Sequence, residues 1–186
     1  MQQALAAGVK FVQYRSKSGT RKGIYITSLL LARIARNAQA RFIINDHADI
    51  AAAVDADGVH LGQEDLPVKF ARKLLGDNKL IGISTHDLEQ AVAAESAGAD
   101  YIGFGPIFPT TTKDTGQVQG INNISIIKQA VTLPVIAIGG INLSNVQDVI
   151  RSGADGVAVI SAILSAENIT GVAEIMLRSI SDVRRV

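Results

Sequence analysis

The 186-residue sequence contains no cysteine. Disulfides, thiolate nucleophiles and thiolate metal sites are therefore excluded. Aromatic residues make up only 4% of the chain. Ala, Val, Ile and Leu must then fill the interior, a mix typical of parallel sheets buried on both faces by helices. Neither sign of charge is in excess, since 18 basic residues stand against 17 acidic ones. That balance gives no reason to expect a polyanion such as nucleic acid as a partner. No segment reaches the roughly 18 uncharged apolar residues that suggest a membrane span. The opening Met1-Gln2-Gln3-Ala4-Leu5 lacks a basic stretch followed by an apolar run. No secretory signal is read, and a cytoplasmic location is expected.

What is present is a 47% hydrophobic composition, enough for the core of one domain over residues 1–186. Short apolar runs alternate with longer segments of helical period. Strands are expected near Lys10–Arg15, Arg41–Asn45, Gly58–Leu61, Leu80–Ser84, Asp100–Gly105, Val135–Gly139 and Gly156–Ile160. Helices are expected at Leu88–Ala97, Val146–Ser152 and Gly171–Val183. The last of these aligns Val172, Ile175, Met176, Ile180 and Val183 on one stripe. Strand and helix in alternation mean parallel βα units. No linker or low-complexity stretch divides the chain.

An internal repeat supports this. Ala7-Gly8-Val9-Lys10-Phe11, Asp55-Ala56-Asp57-Gly58-Val59, Ala97-Gly98-Ala99-Asp100-Tyr101 and Ser152-Gly153-Ala154-Asp155-Gly156 resemble one another. Each ends a helix and begins an apolar strand, and a glycine after a helix supplies the left-handed turn that β-carbons resist. The copies mark alternate strands. Seven strands is one short of the closed eight-stranded barrel. The chain opens in a helical segment, Gln2 to Ala7, which a βα repeat would precede with another strand. The expected fold is thus an α/β TIM-type (βα)8 barrel lacking its first strand. An open doubly wound sheet is the alternative. It usually carries a single Gly-rich phosphate turn, whereas polar residues here follow nearly every strand.

In β/α barrels chemistry sits at the carboxyl ends of the strands. The seven strand ends carry Gln13-Tyr14-Arg15-Ser16-Lys17, Asn45-Asp46, Gly62-Gln63-Glu64-Asp65, Ser84-Thr85-His86, Gly105 through Lys113, Gly139-Gly140 and Ile160-Ser161. Asp46 and Asp65 follow neighbouring strands and could share one hard cation, with water and a substrate phosphate completing its shell. The bland reading of either Asp alone is helix capping. Arg15, Lys17 and Lys113 supply positive charge suited to a pyrophosphate. Gly139-Gly140 suits a phosphate cup that Ile160-Ser161 would close. The stretch Pro106–Gly120 is long for a βα loop. Its Thr110, Thr112 and Lys113 could bond an anion as a lid. Ser84 with Asp87, and Ser144 with Gln147, fit capping boxes. His86 reads as a helix-start residue, and His47 and His60 as structural.

Taken together these stretches resemble the thiamine-phosphate synthase family. The matching segments run in order from Gln13-Tyr14-Arg15-Ser16-Lys17 through Ile44-Asn45-Asp46, Asp57 to Asp65, Ser84-Thr85-His86, Gly103 to Lys113, and Ala137 to Ile141. The likeness extends from the start to about Ile163. It implies a transferase of thiamine biosynthesis. Such an enzyme joins 4-amino-2-methyl-5-(diphosphooxymethyl)pyrimidine to a thiazole phosphate, giving thiamine phosphate and pyrophosphate. By position, the resemblance assigns the pyrimidine diphosphate to Gln13, Arg15, Lys17, Asn45, Ser84 and Lys113, and counts Tyr14, Ser16 and Thr111 among the substrate-binding residues. Mg2+ falls to Asp46 and Asp65. The thiazole phosphate falls to Thr110, Thr112, Gly140, Ile160 and Ser161. Arg15, Lys17, Ser84 and Lys113 are the expected catalytic groups. The implied partners are the two small phosphorylated substrates, with no nucleic acid and no membrane; a homo-oligomer is compatible. Two other readings remain: a related thiazole tautomerase, which would lack the Asp pair and the Thr110–Lys113 element, and a non-catalytic truncated barrel that binds thiamine precursors.

Overall fold

The structure is a computed structural model that describes residues 1–110 and 117–185. Helix α1 (Gln2–Ala6) precedes β1 (Phe11–Tyr14), α2 (Arg21–Asn37), β2 (Arg41–Asn45), α3 (Ala48–Ala53) and β3 (Gly58–Leu61). Next come α4 (Val68–Leu75), β4 (Leu80–Thr85), α5 (Leu88–Ser96), β5 (Tyr101–Phe104) and α6 (Asn122–Ala130). The chain continues through β6 (Val135–Ile138), α7 (Val146–Arg151), β7 (Gly156–Ala158), α8 (Ser161–Leu164) and α9 (Ile169–Arg184). The strands form one seven-stranded sheet in the order β1-β2-β3-β4-β5-β6-β7, and each neighbouring pair is parallel. A doubly wound sheet would reverse its strand order at a switch point. This one does not, so the barrel-type reading of the sequence stands over the open alternative.

Side chains on the two sheet faces alternate along each strand. One face joins the main core: Phe42, Ile44, Val59, Leu61, Ile81, Ile83, Ile102 and Phe104 pack with helix residues that include Ala35, Ala51, Ala71, Ala91 and Ile124. Small alanines let the helices lie close to the sheet. Each fully buried Ile or Phe there contributes about 1.5–3 kcal/mol. The opposite, inward face carries Ile43, Asn45, His60, Ser84 and Tyr101, with glycines at 82 and 103. A β-carbon on Gly82 would lie 2.1 Å from the Tyr101 ring, and one on Gly103 would lie 3.0 Å from the His60 ring. These two glycines make room for two rings inside.

The internal repeat has a structural cause. Its turn residues Gly8, Asp55, Gly98 and Gly153 all take positive φ, at 102°, 52°, 86° and 102°. Two residues further on, Asp57, Asp100 and Asp155 each accept a backbone N–H from the first or second residue of the preceding strand. The bonds from Phe42, Ile81 and Val135 measure 2.9, 2.7 and 2.7 Å. Each carboxylate also pairs with a cation, Arg41, Arg72 and Lys128 in turn. The repeat is thus a joint between consecutive strands at their amino ends. In the first copy Lys10 takes the Asp position and donates instead to the Ala38 carbonyl, at 2.8 Å.

Several local expectations are corrected. β1 stops at Tyr14 and β7 at Ala158, so Arg15 and Ile160 lie in the following loops. Ile175 is 51% exposed. Ala173 and Met176 are the residues that α9 buries. Ser144 does not cap α7: its N–H and hydroxyl both donate to Asn142, while Asn145 accepts the Asn142 N–H. Ser84 lies inside β4, and Asp87 alone caps α5 by accepting the Gln90 N–H at 2.8 Å.

Candidate active site at the carboxyl ends of the strands

Because all seven strands are parallel, every strand end named above opens on the same end of the sheet. Asp46 follows β2 and holds a positive φ of 65°. That region is sparsely populated by side-chain-bearing residues, though Asp tolerates it better than most. A local strain at a strand end of this kind is where function is to be sought. Neither Asp46 nor Asp65 caps a helix, since α3 and α4 begin after His47 and Pro67. Asp65 is anchored by the Gly62 N–H, at 2.6 Å.

The two carboxyl groups come within hydrogen-bonding reach of each other. Burial first, then the charge of Asp65 and a hydrogen bond to it, push the Asp46 carboxyl above its ordinary value. Arg15 and His47 pull the other way. Two carboxylates in this position need a proton or a cation between them. The pair therefore fits a hard divalent ion bound by oxygen. Among the described residues no third His, Asp, Glu or Cys joins them. Water and substrate oxygens would have to complete such a shell.

Around this pair the neighbouring strand ends contribute polar groups. Asn45 is 8% exposed at the end of β2. Ser84 is 5% exposed in β4, and its carbonyl accepts from Gln63 at 2.7 Å. Arg15 lies near enough to Asp46 to stabilise its charge. Lys17 is exposed in the loop after β1. Gln13 and Tyr14 end β1, and Ser16 is tied to the Ser18 carbonyl at 2.6 Å.

The glycine pair after β6 turns sharply, with φ of 88° at Gly139 and 67° at Gly140. A β-carbon at Gly140 would come within 2.6 Å of the Pro109 carbonyl oxygen. The loop after β5 is laid directly over this turn. Ile107 and Phe108 donate to the Ile138 and Gly139 carbonyls, at 2.9 and 3.1 Å. Gln119 closes the loop's far end on Pro106, at 2.8 Å. Ile160 and Ser161, just past the end of the adjacent β7, open the short helix α8. Paired late-strand loops beside a short extra helix match the usual barrel phosphate site. Thr110 belongs to the described part of the β5 loop, whereas Thr111, Thr112 and Lys113 lie outside the described residues.

His60, read from the sequence as structural, and His86, read as a helix-start residue, are both engaged here. His60, 7% exposed, meets Ser84 Oγ through Nε2 at 2.9 Å and Tyr101 Oη through Nδ1 at 3.1 Å. His86 Nδ1 donates to the Gly105 carbonyl at 2.6 Å. Only strand register could have pointed to the first contact: His60 pairs with Gly82, two residues before Ser84. Two surface grooves occur at the opposite, amino end of the sheet. One includes Arg151, Asp155 and Arg184, the other Arg36, Asp55 and Lys79. Most of their charges are engaged in pairs, such as Lys128–Asp155 and Lys79–Asp55.

An ordered parallel β/α sheet with acidic, basic and glycine-rich ends converging on one face defines a barrel-type enzyme that handles phosphorylated ligands. The family model described as thiamine monophosphate synthase matches residues 1–163, and the chain belongs to that family. It is 48% identical over 171 residues to the thiamine-phosphate synthase of Chloroflexus aurantiacus, covering 91% of this chain and 79% of that protein. It is 46% identical over 183 residues to the thiamine-phosphate synthase of Methanosarcina barkeri, covering 98% and 83%. The solved thiamine phosphate pyrophosphorylase of Pyrococcus furiosus superposes with a TM-score of 0.91 at 39% identity, covering 98% of this chain and 88% of that one.

Proposed function

We propose that this chain is a Mg2+-dependent transferase of thiamine biosynthesis. It joins 4-amino-2-methyl-5-(diphosphooxymethyl)pyrimidine to a thiazole phosphate and releases pyrophosphate. The observation that carries the reading is the Asp46–Asp65 pair beside Arg15 at the carboxyl ends of β1 to β3. Asp46 and Asp65 would hold the ion, which when bound offsets negative charge on the diphosphate and its departing form. Arg15 and Lys17 would bind diphosphate oxygens and stabilise charge as it grows on the leaving group. Lys113 joins them in this proposal. Asn45, Gln13, Tyr14 and Ser16 would orient the pyrimidine end, and Ser84 would donate a hydrogen bond. The turn at Gly139-Gly140, with Ile160-Ser161 and Thr110 to Thr112, would receive the thiazole phosphate.

Loss of pyrophosphate leaves a cationic pyrimidine methylene that the thiazole nitrogen attacks, so no general base is obligatory. The juxtaposed Asp pair favours this chemistry over tautomerisation, which has no need of it.

We also read the seven strands as seven of the eight in a (βα)8 barrel. In support, α1 and α9 pack together, with Thr170 reaching the Gln3 carbonyl at 3.3 Å. They meet across the two sides where β1 and β7 have one strand neighbour each among the described residues.

The deciding experiment is thiamine phosphate formation from the two purified precursors, with Mg2+ and then with EDTA, beside Asp46→Ala. Product that needs both the ion and Asp46 is expected. A folded chain that yields none would refute the activity and favour a binding-only barrel.

A further inference from the structure

The inward face of the sheet holds a buried hydrogen-bonded row that the condensation does not by itself require. Tyr101 Oη meets His60 Nδ1 at 3.1 Å, and His60 Nε2 meets Ser84 Oγ at 2.9 Å. The three residues are 7%, 7% and 5% exposed. They sit on β5, β3 and β4: Tyr101 and His60 are level with Gly82, and Ser84 lies two residues further toward the strand ends. The room for both rings comes from Gly82 and Gly103, where a β-carbon would strike Tyr101 or crowd His60. Tyr101 is further fixed by Phe11, whose ring meets it edge-on at a centroid distance of 5.7 Å. A row built this closely has a direction, and the chemistry of its members sets it.

A phenol donates a hydrogen bond more readily than it accepts one, and neutral imidazole offers one donor and one acceptor. Among the described residues, the Tyr101 hydroxyl has His60 Nδ1 as its one polar side-chain partner. Burial first, and the nearby Asp100 charge second, push the phenol well above its ordinary value, so its proton stays in place. With Tyr101 donating to Nδ1, the imidazole proton stands on Nε2 and points at Ser84 Oγ. The Ser84 oxygen then accepts from His60, and its own hydrogen is turned toward the strand ends.

We propose that Tyr101 and His60 are positioning residues that fix Ser84 as a hydrogen-bond donor to the oxygen of the departing pyrophosphate. This rests on the transferase reading above. Without the pair the Ser84 hydroxyl could equally turn its hydrogen to the imidazole and present a lone pair to an anion. The pair removes that unfavourable rotamer before substrate arrives. The gain is realised as charge grows on the leaving oxygen, so it belongs to kcat more than to KM.

The test has two parts. Nitrogen-15 NMR of the intact protein reads the His60 tautomer directly. A proton on Nε2 with bare Nδ1 is expected in the parent, and a proton on Nδ1 would overturn the proposal. The second part is a cycle of Tyr101→Phe, Ser84→Ala and the double variant. Tyr101→Phe keeps the ring over Gly82 and should lower kcat about 10–100-fold, the usual scale for residues acting through another, with KM little changed. The double variant should be no slower than Ser84→Ala alone, because Tyr101 acts only through Ser84. Independent, multiplying losses would overturn the proposal. If the parent turns nothing over, the same cycle is read in binding of inorganic pyrophosphate with Mg2+. Absent turnover with the Nε2 tautomer and a non-additive cycle would then count against the transferase reading and not against this row.

Discussion

Asp100→Ala separates the two ends of the sheet. The Asp100 carboxylate accepts the Ile81 N–H at 2.7 Å and the Arg72 guanidinium at 2.6 Å. Ile81 is fully buried, so removal leaves a backbone donor dependent on whatever water can follow. A hydrogen bond to a charged acceptor contributes about 1.5–3 kcal/mol net. The Asp100 side chain is 35% exposed and that of Arg72 21%, so the lower end of that range applies, with the ion pair adding roughly 0.5 kcal/mol. The sum is about 2 kcal/mol. For a domain of this size that lowers Tm by about 4–8 °C. The assay is thermal melting by circular dichroism, with urea unfolding alongside. Asp77→Ala, an exposed acidic residue, is the control and should stay within about 0.5 kcal/mol. Turnover of the folded Asp100→Ala protein should equal that of the parent, because Asp100 lies at the end of the strands away from the site and burial, the larger cause, still keeps the proton on the adjacent Tyr101. A melt within about 1 °C of the parent would refute the reading of the repeated aspartates as strand joints. An unchanged melt with lost turnover would refute the division of the two ends.

Gly82→Ala places a β-carbon 2.1 Å from the Tyr101 ring; overpacking of this kind costs about 1–3 kcal/mol, and the displaced ring should also lower kcat, measured by melting and by steady-state kinetics. Gly140→Ala meets both a φ of 67° and the Pro109 carbonyl at 2.6 Å. It should raise KM for the thiazole phosphate several-fold while sparing the diphosphate substrate, and an unchanged KM would remove the glycine turn from the phosphate site. Asp155 supplies a pH test. Burial opposes its ionisation, but the bonds from Lys128 and the Val135 N–H outweigh it and hold the carboxyl below its ordinary value. A depressed carboxyl stabilises the fold above its unfolded pKa, and that stability is lost as pH falls from the ordinary range, about 4, through the folded value. Asp155→Asn should therefore melt lower at neutral pH and show a shallower loss of Tm below about pH 4 than the parent.

Much of the fold was legible because parallel βα units write themselves into sequence twice, once as apolar runs and once as turns. Arg41–Asn45 and Gly58–Leu61 are strands with the very limits that composition gives. The repeated small residues before alternate strands proved to be positive-φ turns, and Asp55 shows that Asp can take the glycine's place. What the repeat did not reveal was the role of the aspartate two positions further on, since its partner is an N–H at the start of a strand some fifteen to twenty residues earlier. Local pattern also misled where a side chain had two local uses. Ser84 spaced three residues before Asp87 reads as a capping box, yet Asp87 caps the helix alone and Ser84 faces inward to His60.

The candidate site divides along the same line. Its members could be named from strand ends because a parallel sheet sends all of them to one side, whatever the sheet's curvature. Their mutual contacts could not, because those depend on register. His60 is opposite Gly82, and Gly82 is opposite Tyr101, so a glycine in the middle strand is what lets a ring on β5 reach an imidazole on β3. In the sequence Gly82 and Gly103 are merely two weak strand residues. In the sheet they are the space that admits the Tyr101–His60–Ser84 row. A glycine at the centre of a buried strand is costly in packing, and here the space it leaves is filled by groups that end on the serine at the mouth. Replacing either glycine should therefore disturb stability and turnover together, whereas replacing an aspartate at the amino ends should disturb stability alone.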